Sequence, residues 1–207
     1  MNDDKGFLNR LYYIRNHDQA RDLYQNWAKT YDQEIIGNDY ATPHRCARAL
    51  ADLLQDKAAP VLDIGCGTGL SGIALRECGF LTIDGCDFSP EMLKIAAARP
   101  GLYRRLWEVD VENPLPFAPG SYAAITAVGV LASDHAPAGM IDDVLQSLTK
   151  GGLFVFSLND HTLQDPSFEA RIAENVDTGF ARLLFKEHGP HLPGIDLKST
   201  VYVLEKS

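Results

Sequence analysis

The pattern of apolar and polar positions changes character once along this chain. In residues 17–35, "HDQARDLYQNWAKTYDQEI", apolar side chains fall at Leu23, Tyr24, Trp27, Ala28 and Tyr31, the spacing of a helix. The stretch 42–56, "TPHRCARALADLLQD", is a clearer helix. Thr42 is placed to cap it, Pro43 suits its first position, and Cys46, Ala49, Leu50, Leu53 and Leu54 form the apolar stripe. Beyond residue 58 short apolar runs alternate with helical stretches. Strands are expected at 60–65, 80–87, 103–110, 121–131 and 152–159, with helices at 70–78, 89–100, 137–150 and 166–176. Ser89 and Pro90 mark one helix start, and Gly151 with Gly152 one helix end. The run at 121–131 is almost continuously apolar, as in a strand covered on both faces.

Two last strands are expected at 179–188 and 198–206, joined by a turn-rich loop, "GPHLPGIDL". With no helix between them they pair antiparallel. The whole predicts an α/β fold: a doubly wound, Rossmann-like sheet of seven strands, mostly parallel, with an antiparallel strand near the C-terminal end and a helical N-terminal arm. No linker composition divides it, so residues 1–207 read as one domain, with 1–57 as arm and first helix and 58–207 as the α/β core. The first sixteen residues carry only weak patterning.

Composition narrows the partners. The formal net charge is −9, which repels phosphate backbones and anionic membrane surfaces and argues against nucleic acid and membrane. The most apolar stretch, residues 123–132, is about half a membrane span, and "MNDDKGFLNR" has no apolar signal core. Cys46, Cys66, Cys78 and Cys86 form no CxxC pair and have no histidine cluster beside them, so no metal site is expected. They read as small buried residues of a cytoplasmic protein.

The chemistry concentrates in "VLDIGCGTG", 61–69. Gly65, Gly67 and Gly69 follow the first strand of the sheet and precede its helix, where open α/β sheets bind ligands. A tight turn needs one such glycine; three suggest a backbone that must come close to a bound molecule. The dinucleotide fingerprint G-x-G-x-x-G places its third glycine one residue later, where this chain has Leu70. Asp63 lies in the strand before the loop.

"LDIGCGTG" resembles motif I of class I S-adenosylmethionine-dependent methyltransferases. The likeness extends through "GCDFSPEML", "EVDVENPLPF", "LTKGGLFVFS" and the arm segment "YQNWAKTYD", roughly residues 24–205. More narrowly, "WAKTYDQEI", "VGVLASDHAP" and "TKGGLFVFSLN" resemble a methyltransferase-like subgroup named for the Williams–Beuren chromosomal region. Two positions depart from the family pattern: Tyr122, Ala123 and Ala124 where an early acid of the fourth strand is common, and Lys150 where proline often precedes the glycines.

The resemblance implies S-adenosylmethionine as cofactor, S-adenosylhomocysteine as product, and no metal. It implies that Asp87 accepts hydrogen bonds from the ribose hydroxyls, a task suited to a carboxylate. It sets Asp110 and Val111 against the adenine edge, with Cys66 and Val128 along the cofactor; Phe88 and Met92, placed beside Asp87, either contact the adenosine or simply pack. Tyr31 stands either at the cofactor carboxylate or in the core, and Trp27 in the core. Asp63 either bonds loop amides or positions the methionine amino group. His135, after the fourth strand, is the candidate general base; the alternative is an exposed loop histidine. Asp160 and His161 are similar rim residues.

Methyl transfer to such a cofactor is an in-line displacement in which the protein mainly aligns the acceptor. An Asn/Asp-Pro-Pro-aromatic motif, common in nucleic-acid amino-methyltransferases of this fold, is replaced here by "VGVLASD". A small-molecule acceptor is therefore expected, on a monomer or homodimer. The rival readings are a non-catalytic module that binds the same cofactor and a nicotinamide-dependent oxidoreductase.

Overall fold

The computed structural model describes residues 17–109, 117–133 and 136–207. Two helices lead in, α1 (His17–Ile36) and α2 (Thr42–Leu53). The core follows as β1 (Val61–Ile64), α3 (Leu70–Glu77), β2 (Ile83–Asp87), α4 (Pro90–Ala97), β3 (Arg105–Glu108), β4 (Ala124–Ala127), α5 (Met140–Ser147), β5 (Leu153–Asn159), α6 (Pro166–Asp177), β6 (Ala181–Leu192) and β7 (Leu197–Lys206). The seven strands form one sheet in the order β3-β2-β1-β4-β5-β7-β6. β1 to β5 run parallel; β7 is antiparallel to both β5 and β6. Strand order reverses between β1 and β4, which opens a crevice at their carboxyl ends.

The sheet is covered on both faces because its strands alternate which core they feed. Val61 of β1, Val155 of β5 and Val203 of β7 pack with Cys46 and Leu50 of α2 and Ala74 and Leu75 of α3. Their neighbours Leu62, Phe154 and Leu204 pack on the other face with Ile141 and Val144 of α5 and Phe168 and Ile172 of α6. Phe156 lies between Phe154 and Tyr202, with ring centroids 4.6 and 5.1 Å away.

Asp84 closes the sheet's β3 side. It is fully buried, and its carboxylate accepts hydrogen bonds from Arg104, Arg105 and the Tyr122 hydroxyl. Burial alone would raise this carboxyl; the three donors outweigh it and hold it down to about 2.

Several expectations are corrected. The loop "GPHLPGIDL" is half strand: β6 runs on to Leu192, and only Pro193–Ile195 forms a short helical turn. β6 is an edge strand, so Pro190 interrupts no ladder on its free side, and the register shifts between Pro190 and Leu192 absorb it. Thr42 does not cap α2. The N-cap is Ala41, with no side-chain cap bond, and the Thr42 hydroxyl contacts His191 Nδ1 at 2.7 Å and Ser199 at 2.9 Å. Leu53 is exposed and Leu54 only half-buried, so the α2 stripe rests instead on Cys46, Ala47, Ala49 and Leu50. Cys78 is half-buried, unlike the other three free cysteines. β4 is four residues long, well short of the apolar run that contains it. Among the described residues no helix is long and apolar enough to cross a membrane.

Candidate functional site

The three glycines of the loop after β1 do three different things. All have positive φ, at 63°, 53° and 95°. A Cβ on Gly65 would come within 2.4 Å of Val130 Cγ2, so this glycine makes room for the segment after β4. A Cβ on Gly69 would meet Leu102 at 2.8 Å and Tyr103 at 3.3 Å, so this one lets the α4–β3 connection lie against the loop. At Gly67 a Cβ would meet nothing within 4 Å. That position alone of the three opens onto free space, the cradle a closely approaching ligand requires.

Two buried acids lie beneath the loop. Asp87, the last residue of β2, accepts from Gly67 N–H through Oδ2 and from Ser89 N–H through Oδ1, both at 2.8 Å. Burial pushes its carboxyl up to about 6, against the pull of these amides. Asp63 is fully buried. Its Oδ2 accepts from the hydroxyls of Ser71 at 2.5 Å and Tyr103 at 2.7 Å, and Oδ1 from Thr126 at 2.9 Å. Hydroxyls of α3, β4 and the α4–β3 connection thus satisfy Asp63, rather than the loop amides weighed from sequence. Burial raises its carboxyl, and the three hydroxyls work against that rise.

The arm supplies the roof. Tyr31 of α1, with Tyr40 and Pro43 after it, faces Gly65, Cys66, Gly67, Thr68, Leu70, Ser71 and Val128 across a cleft of about 30 Å³. Burial holds the Tyr31 phenol well above its ordinary range, and Tyr40, Asp87 and Asp32 add to the shift. Trp27 is core, 1% exposed, with Tyr31 edge-on at 4.7 Å. Next to Tyr31, Asp32 accepts from the Thr68 hydroxyl and from Arg99 Nη2, each at 2.5 Å. Arg99 Nε also donates to the Thr68 carbonyl at 2.8 Å.

The sequence-derived candidates divide accordingly. Tyr31, Gly65, Cys66, Gly67 and Val128 line one cleft, and Asp87 is bonded to it through Gly67. Gly69 supports the loop from behind, and Asp63 supports it from below through Ser71. Phe88 is half-buried beside Asp87. Met92 is buried in the first turn of α4, away from the cleft lining. Asp160 is held by β7, where its carboxylate accepts from Lys198 N–H, and His161 is exposed. Asp110, Val111 and His135 lie outside the described residues; Ala132 and Ala136, which flank the last, pair with each other.

Sequence reasoning missed Asp32, Thr68, Arg99, Tyr40 and Ser71. Thr68 stands inside the glycine run and Asp32 directly after Tyr31, which were signals of place. Nothing in the sequence pairs residue 32 with residue 99. No group of three or more metal-ligating side chains occurs among the described residues.

The profile of a methyltransferase domain family matches residues 39–199. Human methyltransferase-like protein 27 is 38% identical over 138 residues, 65% of this chain and 56% of that protein. The demethylmenaquinone methyltransferase of Tropheryma whipplei (strain Twist) is 30% identical over 138 residues, 66% of this chain and 57% of its own. The 18S rRNA (guanine(1575)-N(7))-methyltransferase of Saccharomyces cerevisiae is 31% identical over 140 residues, 61% of this chain and 50% of its own. The chain therefore spans little more than half the length of the curated relatives it matches. A doubly wound sheet, a glycine loop open at its middle residue and a buried acid ending β2 agree with the matched profile: the chain belongs to the methyltransferase domain family, of the class I S-adenosylmethionine-dependent type.

Proposed function

We propose that this chain is a single-domain methyltransferase that transfers a methyl group from S-adenosylmethionine to a small-molecule acceptor. The observation that carries the reading is the pairing of Gly67, which opens onto free space, with the buried carboxylate of Asp87 beneath it. When bound, S-adenosylmethionine supplies a methyl carbon already activated by its positively charged sulfur. The chain's own work is then to bind, orient and exclude water. Asp87 retains acceptor capacity on both oxygens for the ribose hydroxyls. Gly67 lets the backbone approach, Cys66 and Val128 wall the cleft, and Tyr31 offers a neutral phenol as a donor at the methionine end. Asp63 keeps the floor rigid through Ser71, Tyr103 and Thr126.

The acceptor side is roofed by α1 and by the tip of the β6–β7 hairpin, where Trp27, Ile35, Leu192 and Leu197 pack together with Tyr31, Tyr40 and Leu70 flanking them. An arm packed over the cleft and a net charge of −9 favour a small acceptor over a nucleic acid. The relative named for 18S rRNA keeps an RNA acceptor as the second reading. We place the protein in the cytoplasm, as a monomer or homodimer.

Calorimetry with S-adenosylhomocysteine and with NAD tests the cofactor. Binding of the first, with a raised melting temperature, is expected; NAD binding without S-adenosylhomocysteine binding overturns the reading. Turnover with small-molecule acceptors and with rRNA separates the two acceptor classes, and cofactor binding with turnover of neither leaves a binding module.

A further inference from the structure

Thr68 is gripped from two sides. Its hydroxyl donates to Asp32 of α1 at 2.5 Å, and its carbonyl accepts from Arg99 Nε at 2.8 Å. Arg99 closes the ring by donating through Nη2 to the other oxygen of Asp32, also at 2.5 Å. A single guanidinium thus holds the arm and the glycine loop at once, which its rigid fork allows and a lysine ammonium would not. Both members of the ion pair are about 30% exposed: 30% for the Arg99 side chain and 29% for that of Asp32. The stem of Arg99 also lies against the loop, since a Cβ on Gly69 would come within 3.4 Å of Arg99 Cδ.

The position of this ring gives it leverage on the cleft. Asp32 follows Tyr31, whose ring lines the cleft, and Thr68 follows Gly67, whose free space the cofactor is assigned. With α1 seated, Tyr31 and the glycine loop lie close across a cleft of about 30 Å³, so a shift of the arm changes the shape of that cleft directly.

We propose that Asp32 and Arg99 are positioning residues that clasp Thr68. By this clasp the seating of α1 and the shape of the glycine loop form one equilibrium, and the clasp sets how long the cofactor stays bound. The site is the one assigned above, so the residence-time part of the proposal rests on that function. The clasp itself exists without ligand and is testable without it. Breaking it loosens α1 on its loop side, leaves Trp27 and Ile35 packed on Leu192 and Leu197, and spares the sheet, because α1 lies outside both cores that sandwich the strands.

The test compares Asp32→Ala, Arg99→Ala and Arg99→Lys with the parent chain. In ligand-free protein, amide hydrogen exchange across residues 27–36 should quicken in both alanine variants, while exchange in β1, β4 and β5 and the urea midpoint stay near the parent values. In stopped-flow displacement, S-adenosylhomocysteine should leave faster from both, about ten-fold from Asp32→Ala, with a smaller change in the association rate. The double variant should lose no more than Asp32→Ala, which already removes both of the arm's bonds to the ring, whereas Arg99→Ala leaves the Thr68–Asp32 bond and should have the smaller effect of the two. Arg99→Lys keeps the charge and loses the fork, so it should fall between. If exchange in residues 27–36 is unchanged, the clasp is overturned whatever the cofactor does. If exchange quickens and S-adenosylhomocysteine leaves at the parent rate, the clasp stands and its control of residence time is overturned. A chain that exchanges as expected and binds no S-adenosylhomocysteine overturns the proposed function alone.

Discussion

Asp87 Oδ2 and Gly67 N lie 2.8 Å apart, so the carboxylate assigned to the ribose also ties down the glycine that opens onto the cofactor space. One residue thereby braces the floor of the cleft and sets a carboxylate beneath it. Removing the carboxylate costs both. Asp87→Ala should weaken S-adenosylhomocysteine binding by about 1.5–3 kcal/mol, the range for hydrogen bonds to a charged group, as read by calorimetry.

The same acid makes binding depend on pH. Burial raises its free-state value to about 6. Ribose hydroxyls donate to the anion, so binding lowers that value and releases protons near pH 6. Affinity should be flat above pH 7 and fall about ten-fold by pH 5. Calorimetry in buffers of different ionisation enthalpy detects the released proton at pH 6 and its loss at pH 8. An affinity unchanged between pH 5 and pH 8 would show that no carboxyl raised to about 6 carries the ribose.

Alanine at Gly67 and at Gly69 should fail differently. Each imposes a positive φ on a residue with a side chain, which costs about 1–2 kcal/mol of stability. Gly67→Ala puts its methyl into the open space, so cofactor binding should lose a further 1–3 kcal/mol or so. Gly69→Ala pushes on Leu102 and Tyr103, so the extra loss should fall on folding. Urea unfolding and calorimetry on both variants separate the two effects.

These glycines show where the sequence was legible and where it was not. Their type and spacing placed the loop after β1, because backbone demands are local and glycine answers them visibly. Their separate purposes were hidden, because the partners Val130, Leu102 and Tyr103 reach them only through the fold. The strand and helix order was readable for the same local reason, as was the antiparallel final pair. The extent of β6 was not, since Gly189 and Pro190 signal a turn and only an edge position lets them continue a strand. The strand position of Asp63 was legible, but three hydroxyls from three elements decide what it bonds. The Asp32–Arg99 contact spans 67 positions and leaves no local pattern.

Acid should weaken the sheet's β3 side. Asp84 is held down to about 2 by Arg104, Arg105 and Tyr122, below the ordinary 3.8. The stability it contributes is therefore full above pH 4 and lost as pH falls through 2. Its arginine partners are half exposed, so the contribution is about 1–2 kcal/mol after screening. Asp84→Asn should lose that much at pH 7 in urea and match the parent near pH 2.

His135 remains the candidate general base on the strength of its place after β4. His135→Ala should leave S-adenosylhomocysteine affinity intact and slow methylation by about 100-fold for a hydroxyl acceptor, less for one already ionised. Equal rates for His135→Ala and the parent chain across an acceptor panel would remove it from the chemistry.

The hairpin tip reaches back to the hinge between α1 and α2: Gly194 N–H donates to the Asn38 carbonyl at 3.2 Å, and Ala41 N–H to that of His191 at 3.0 Å. A Cβ on Gly194 would sit 2.7 Å from Asn38 Oδ1, so the fit is close. The ribosome delivers these partners at opposite times. The arm emerges with its seat unmade, and about 150 residues must follow before Leu192 and Leu197 can receive Trp27 and Ile35. During synthesis the apolar face of α1 thus waits without its seat, open to capture by chaperones. α1 is made before any strand of the sheet and is seated only once the last hairpin is complete.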